Sequence, residues 1–205
     1  MPAFPRTASD VVTNRPPRSR PWSRIGAVSI VLSLLLGLTA CTDEAAQEDA
    51  PRSGSVRADV SLGTVTGSLP RARRTAIKRV VGTTVNRWIE AAYVPGGYPR
   101  ARFTEAFRTF TRDATTQARR DRTLTSNRAI SQRLSSVRLR QRKIRVDVLA
   151  RGGRPVGATA RVVVAQRLQG PRIDRVERIT GRLHLTPTAR GWQIFAYDLQ
   201  RGRLR

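Results

Sequence analysis

Apolar residues between positions 77 and 92 recur at the period of an α-helix. Their spacing of four, seven and four residues places them on one face, so the pattern predicts an amphipathic helix of about 24 residues. Ser68 is a suitable N-cap with Pro70 in the first turn, and VPGG at 94–97 ends the helix because Pro and Gly interrupt its backbone. The positions on this face are Ile77, Val81, Trp88 and Ala92.

A second helical region is predicted after the loop at 98–99. Thr111, followed by Asp113, is expected to cap a separate short helix that extends to about residue 121, and TLTSN at 123–127 is expected to be a turn. The apolar positions of this region are Phe103, Phe107, Phe110, Ala114 and Ala118. Both helical faces therefore need a sheet to cover them.

From about residue 137 the apolar period changes from helical to two, which predicts strands. In the first of these strands the apolar positions are odd-numbered up to Leu139 and even-numbered from Ile144. A strand cannot keep one face buried through such a slip, so a bulge or sharp bend is predicted near Arg142 and Lys143.

Three further strands are expected at 158–168, 179–185 and 192–199, with turns at 151–154 and 170–171. Helices followed by a four-stranded antiparallel meander predict an α+β domain with the helices on one side of the sheet.

This pattern, which covers residues 68–200, resembles the NTF2-like (cystatin-like cone) fold through its bent first strand, its aromatic helical layer and the final GWQI strand. The resemblance implies a curved sheet around an apolar cavity. Asp198 shares the parity of Ile194 and is expected at the cavity mouth, or else beside an arginine. The possible lining residues are Trp88, Tyr93, Phe107, Phe110, Trp192 and Tyr197, which are otherwise core residues.

The N-terminal forty residues have the three parts of an export signal. A basic front is followed by fourteen uncharged residues, IGAVSIVLSLLLGL at 25–38, and then by small residues. As a helix this run spans about 21 Å, short of the roughly 30 Å of a bilayer core, so a permanent membrane span is the weaker interpretation.

The only cysteine stands directly after this run, in Leu38-Thr39-Ala40-Cys41, which resembles the lipobox of bacterial lipoproteins. The resemblance implies cleavage between Ala40 and Cys41 and attachment of diacylglycerol to the Cys41 thiol, with further acylation of the new terminus. Residues 1–40 would then be the signal peptide. The expected location is the outer face of the cytoplasmic membrane, as in actinobacterial lipoproteins.

Residues 41–58 are small and polar, and they are expected to form a flexible tether. The predicted domain at 59–205 contains 32 of the 39 basic residues and 9 of the 14 acidic residues, a formal charge of +23. Such a charge favours anionic lipids or acidic wall polymers as partners, although a GC-rich genome would also supply arginine. Export and the absence of zinc-finger, zipper or RNA-binding motifs argue against nucleic acid.

The same sequence gives little support for catalysis. One Cys and one His exclude the usual metal sites, the carboxylates are scattered singly, and His184 shares the phase of Arg178 and Arg182, away from the apolar face. The first hypothesis is therefore a non-catalytic, lipid-anchored domain that binds an anionic partner and needs no cofactor. The alternatives are a small-molecule or lipid carrier or enzyme that uses the cavity, with Asp198 as its polar group, and an accessory subunit of another envelope protein.

Overall fold

The computed structural model describes residues 56–94 and 97–204. The predicted signal peptide, Cys41 and most of the tether lie outside these residues. Within them, no helix has the length and apolar character needed to cross a membrane. The elements are β1 (Asp59–Thr66), α1 (Arg71–Tyr93), a 3-10 helix (Thr104–Phe107), α2 (Arg112–Arg120), α3 (Arg122–Thr125), a second 3-10 helix (Ser131–Arg133), β2 (Ser136–Arg151), β3 (Arg154–Gly170), β4 (Ile173–Thr188) and β5 (Gly191–Arg203).

The strands of the described chain form one mixed sheet in the order β1-β2-β3-β4-β5. The α+β class and the antiparallel β2–β5 meander are confirmed, but the prediction of four strands was wrong because β1 adds a parallel edge strand beside β2. In this pair Val60 lies opposite Ile144 and Leu62 opposite Val146. A parallel pair needs a long crossover, and α1 lies in that connection.

Helix α1 ends at Tyr93 as predicted but begins at Arg71, three residues after Ser68. Pro70 is the N-cap, and its carbonyl accepts the backbone N–H of Arg74 at 3.0 Å. Gly82 lies where α1 crosses β1, and a Cβ there would stand 2.7 Å from a methyl carbon of Val60. The absence of a side chain at this position therefore lets the helix approach the edge strand.

The predicted phase slip in β2 is confirmed, two residues earlier than expected. The register shifts between Leu139 and Gln141, so Arg140 is the extra residue. This bulge places Arg142 in phase with the apolar positions that follow it, and its side chain is buried.

A second irregularity, in β5, was not predicted. His184 pairs with Ala196 and Leu185 with Ile194, so Phe195 is left as the extra residue between them. Three residues before His184 in β4, Gly181 pairs with Leu199 and has a φ of 144°, a left-handed conformation that favours glycine, and a Cβ there would collide with the carbonyl oxygen of Asp198. Side chains after Phe195 therefore change faces relative to those before it.

The sheet has two faces of different character. The inner face packs on α1 and on the segment from the first 3-10 helix to α3, and it carries the apolar positions of β2–β5 that form the core. The outer face carries the alternate positions, which are mostly exposed or half-buried. Their basic side chains are Arg138, Arg140, Lys143, Arg145, Arg161, Arg167, Arg178 and Arg182.

Candidate functional site

The aromatic residues predicted to line a cavity pack against one another. Trp88 and Tyr93 are fully buried, with ring centroids 5.5 Å apart in an edge-to-face arrangement, and Phe110 lies 6.3 Å from Trp88. Phe107 and Tyr197 extend the same cluster at 5.9 and 6.2 Å from Phe110. These contacts have the geometry of a packed aromatic core.

The polar atoms of this cluster are also satisfied. The Trp88 indole N–H donates to the carbonyl of Thr125 at 3.2 Å, and the Tyr93 hydroxyl donates to the carbonyl of Leu124 at 2.6 Å. Burial raises the pKa of Tyr93 far above its usual range. The tyrosine therefore acts here as a neutral hydrogen-bond donor within the core.

Two predicted lining residues on β5 lie at the edge of this core. Trp192 is half-buried and packs against it. The Tyr197 hydroxyl donates to Asp121 at 2.7 Å, and burial together with this carboxylate raises the pKa of Tyr197 well above its usual range. This bond ties β5 to the residue that links α2 and α3.

Asp198 does not lie at the mouth of an inner cavity. Because Phe195 is bulged, Asp198 is displaced to the outer face, where it is exposed and stands opposite Arg182 on β4. His184 shares that face, as predicted, and its Nδ1 lies 3.2 Å from the Thr159 hydroxyl. The two side chains considered for polar chemistry therefore lie on the opposite side of the sheet from the aromatic cluster.

A buried polar cluster on the inner face was missed by the sequence analysis. The side-chain amides of Asn127 and Gln166 exchange two hydrogen bonds of 3.0 and 3.1 Å. Glu177 accepts from Arg175 at 2.7 Å and from Arg201 at 2.6 Å, and Arg201 also donates to Asn127 at 2.8 Å. The signal that could have revealed it is Gln166, which interrupts the alternating apolar positions of β3.

This cluster adjoins a cleft of about 350 Å³ lined in part by Leu124, Ile130 and Arg203. Arg201 further donates to the carbonyls of Thr123 and Ser126, both at 3.0 Å. The cluster therefore joins α3 and the residues directly after it to strands β3–β5, and both Glu177 oxygens are already occupied by arginines.

Two grooves on the helical side of the domain are basic. One, of about 710 Å³, runs between α2 and the start of β5 and contains Arg112, Arg119 and Arg190 with Phe110 among its lining residues. The other, of about 690 Å³, lies between β1 and α1. Its lining includes Arg57, Lys78, Arg79 and Arg87, together with Glu90, which pairs with buried Arg142 at 2.8 Å.

The outer face contains a line of three arginines across its central strands. Arg145 on β2 stands opposite Arg161 on β3, which stands opposite Arg182 on β4. Neighbouring strands are about 4.8 Å apart, so this arginine row spans about 10 Å at the backbone. Like charges directly opposite one another destabilise a sheet, and at one end of the row Arg182 also stands opposite Asp198 on β5.

Two carboxylates of the outer face lie beside the row: Asp198 stands opposite Arg182 without an ion pair among the described residues, whereas Asp147 is paired. Asp147 accepts from Arg161 at 2.7 Å and from the backbone N–H of Thr64 at 2.9 Å. Burial opposes its ionisation, but the bonds to Arg161 and Thr64 and the charges of Arg161 and Arg145 together hold the pKa of Asp147 below its usual value. The described residues supply no ion-pair partner to Arg145 or Arg182.

The basic character extends beyond the arginine row. Arg167 pairs with Asp174 at 2.7 Å. The remaining basic side chains of the outer face form no ion pair with any described residue. They are Arg138, Arg140, Lys143 and Arg178.

Comparison with known proteins identifies no relative of this chain. The chain matches no family model, and no curated protein or solved structure is significantly similar to it. Residues 56–94 and 97–204 also contain no group of three or more His, Cys, Asp or Glu side chains that could hold a metal ion. Functional inference therefore rests on the surfaces described above.

Proposed function

We propose that this protein is an exported, non-catalytic domain that is anchored by lipid at Cys41 and binds an anionic partner through the outer face of its sheet. The observation that carries the proposal is the arginine row, Arg145, Arg161 and Arg182, placed in register on three neighbouring strands, in which only Arg161 forms an ion pair among the described residues. Guanidinium groups bind phosphate and carboxylate oxygens through paired hydrogen bonds.

The expected binding free energy and the reach of the tether both favour this function. Near an anionic surface each basic residue contributes about 1 kcal/mol, so a few arginines on one face are enough to hold the domain there. A flexible tether over 41–58 would reach about 23 Å from the membrane anchor. The domain could then turn its outer face toward the membrane or the wall while it remains attached.

We also propose that the domain has an NTF2-like architecture. The support is its helical layer on one face of a sheet whose strands are interrupted by bulges at Arg140 and Phe195, since bulges bend strands. The edge strand β1 departs from the arrangement expected from the sequence.

The lipid anchor has a direct test. Expression in a bacterial host with an alkyne palmitate analogue should label the protein, and Cys41→Ala should abolish the label. The mature wild-type chain should begin at residue 41. An unlabelled wild-type chain, or one that retains its first forty residues, would contradict the anchor.

The binding function is tested with residues 42–205, which contain all of the residues that the structure describes. The double variant Arg145→Gln/Arg182→Gln removes two charges from the outer face. The matched control, Arg79→Gln/Arg87→Gln, removes two exposed charges from α1 on the helical side. Binding to phosphatidylglycerol vesicles, phosphatidylcholine vesicles and poly(glycerol phosphate) is measured as salt is raised.

The wild type should bind the two anionic materials, and salt should weaken this binding. At about 1 kcal/mol per charge, the outer-face variant should lose about thirtyfold in affinity, and the control should lose much less. Equal losses in both variants would assign binding to net charge or to the α1 groove. Equal, salt-insensitive binding to neutral and anionic vesicles would refute the electrostatic function.

A further inference from the structure

Large apolar side chains are exposed at one end of the outer face. Leu149 on β2 is 53% exposed and Phe195 on β5 is 50% exposed. Val156, in the β2–β3 hairpin at the same end, is 43% exposed. Exposed apolar side chains that lie close together are typical of surfaces that contact a partner or a membrane.

Leu149 and Phe195 line the same shallow groove, of about 270 Å³. Gly157 lies opposite Leu149 and contributes no side chain to the groove. Thr159 and His184 also line it, and the His184 ring lies 6.3 Å from the Phe195 ring. Phe195 is the unpaired residue of the bulge, between Ile194 and Ala196. Its phenyl ring lies on the outer face, in the same groove as Leu149.

This apolar end lies on the same face as the arginine row, with Asp147 between Arg145 and Leu149 on β2 and among the lining residues of the groove. Leu149 is four residues after Arg145 on β2, a separation of about 13 Å along a strand. Surfaces that lie on bilayers combine these two features, because apolar side chains enter the boundary of the acyl region while basic side chains contact lipid phosphates. A soluble polyanion would engage the arginines but would leave Leu149 and Phe195 in water.

We propose that the outer face docks on an anionic lipid bilayer, with Leu149 and Phe195 inserted among the lipids and the arginine row on the headgroup phosphates. This inference rests on the proposed function and narrows the partner to the membrane. Charge complementarity selects an anionic surface, and the exposed apolar pair selects a bilayer over a wall polymer.

Insertion is tested with environment-sensitive labels on residues 42–205, a segment that contains no native cysteine. Leu149→Cys and Phe195→Cys are each labelled with the fluorophore NBD. The matched control is Val80→Cys, an apolar position on α1 that is 39% exposed. On phosphatidylglycerol vesicles, labels at 149 and 195 should brighten several-fold and shift to the blue, while the label at 80 should not change.

A second variant separates insertion from charge. Leu149→Ser/Phe195→Ser should weaken vesicle binding about tenfold through lost apolar burial, while binding to poly(glycerol phosphate) stays unchanged. Arg145→Gln/Arg182→Gln should weaken both. Because both apolar side chains are half exposed, the serine variant should lower the melting temperature by only a few degrees and remain folded.

The outcomes distinguish this inference from the proposed function. If vesicles bind through the arginine row but the labels at 149 and 195 remain in water, insertion is wrong and anionic binding stands. A response only at position 80 would place the helical side on the membrane and overturn the inference. If neither vesicles nor the polymer bind, both the inference and the proposed function fail.

Discussion

The two faces of this sheet use arginine in different ways. On the inner face Arg175 and Arg201 hold Glu177 between them, and both pairs are at least partly buried. On the outer face Arg145 and Arg182 flank Arg161 without an ion-pair partner among the described residues. A buried guanidinium must be paired because its desolvation is costly, whereas water solvates an exposed one. Ion pairing therefore distinguishes the arginines that stabilise the fold from those that are available to bind a ligand.

The same division applies to the aromatic residues. Trp88 and Tyr93 on the inner side are fully buried and make hydrogen bonds, whereas Phe195 on the outer face is half exposed. The inner face has the properties of a hydrophobic core, and the outer face has unsatisfied charge and uncovered apolar area. Mutations on the two faces should therefore separate stability from binding.

The largest expected effect is at the centre of the core. Trp88→Ala should lower the free energy of unfolding by about 3–5 kcal/mol, because it removes a fully buried indole and leaves a cavity. Phe195→Ala, on the outer face, should cost under about 1 kcal/mol. Urea unfolding followed by circular dichroism measures both, and a Trp88→Ala cost as small as that of Phe195→Ala would break the distinction between the faces.

The next largest effect on the free energy of unfolding is expected at Glu177, the carboxylate between the two inner arginines. Glu177→Ala should cost about 3 kcal/mol, because it leaves Arg201 buried without its partner. The matched control is Asp174→Ala in the same strand, whose side chain is 57% exposed and pairs with Arg167. An exposed pair of this kind contributes about 0–1 kcal/mol. If urea titrations gave similar losses in the free energy of unfolding for both variants, burial would not determine how much these ion pairs stabilise the protein.

The regular elements were predictable because each carries its own period. The helical face around Trp88 and the alternation of β2–β5 are repeated over enough residues to identify α1 and the meander. The apolar positions alternate on both sides of the change in parity between Leu139 and Ile144, so the bulge could be recognised. Helix and strand positions that depend on local spacing were therefore accessible from the sequence.

What the sequence did not predict depends on contacts between distant residues. β1 alternates only over Val60 and Leu62 before Gly63, and its position depends on pairing with β2 more than 80 residues later. The bulge at Phe195 is hidden because residues on both sides of it are apolar, so parity placed Asp198 on the wrong face. The arginine row likewise requires the register of three strands.

The smallest expected effect concerns Asp147, which affects both the stability of the sheet and the charge of its outer face. Its pKa is held below the usual value by Arg161 and Thr64, so its ionised form is favoured in the folded state. A depressed pKa gives stability that is present above the unfolded value of about 3.9 and is lost as pH falls through the folded pKa. Asp147→Asn should therefore cost under about 1 kcal/mol at pH 7, since its partner Arg161 is exposed to water, and this difference should disappear in strong acid.

The same substitution should act in the opposite direction on binding. Asp147→Asn removes the carboxylate that pairs with Arg161, so all three arginines of the row become available to phosphate. At about 1 kcal/mol per added charge, affinity for phosphatidylglycerol vesicles should rise up to about fivefold at pH 7. Asp113→Asn, an equal charge change on α2, should leave affinity nearly unchanged. Unchanged affinity in Asp147→Asn, with its stability loss intact, would mean that Arg161 serves the sheet and that the row does not act as one binding surface.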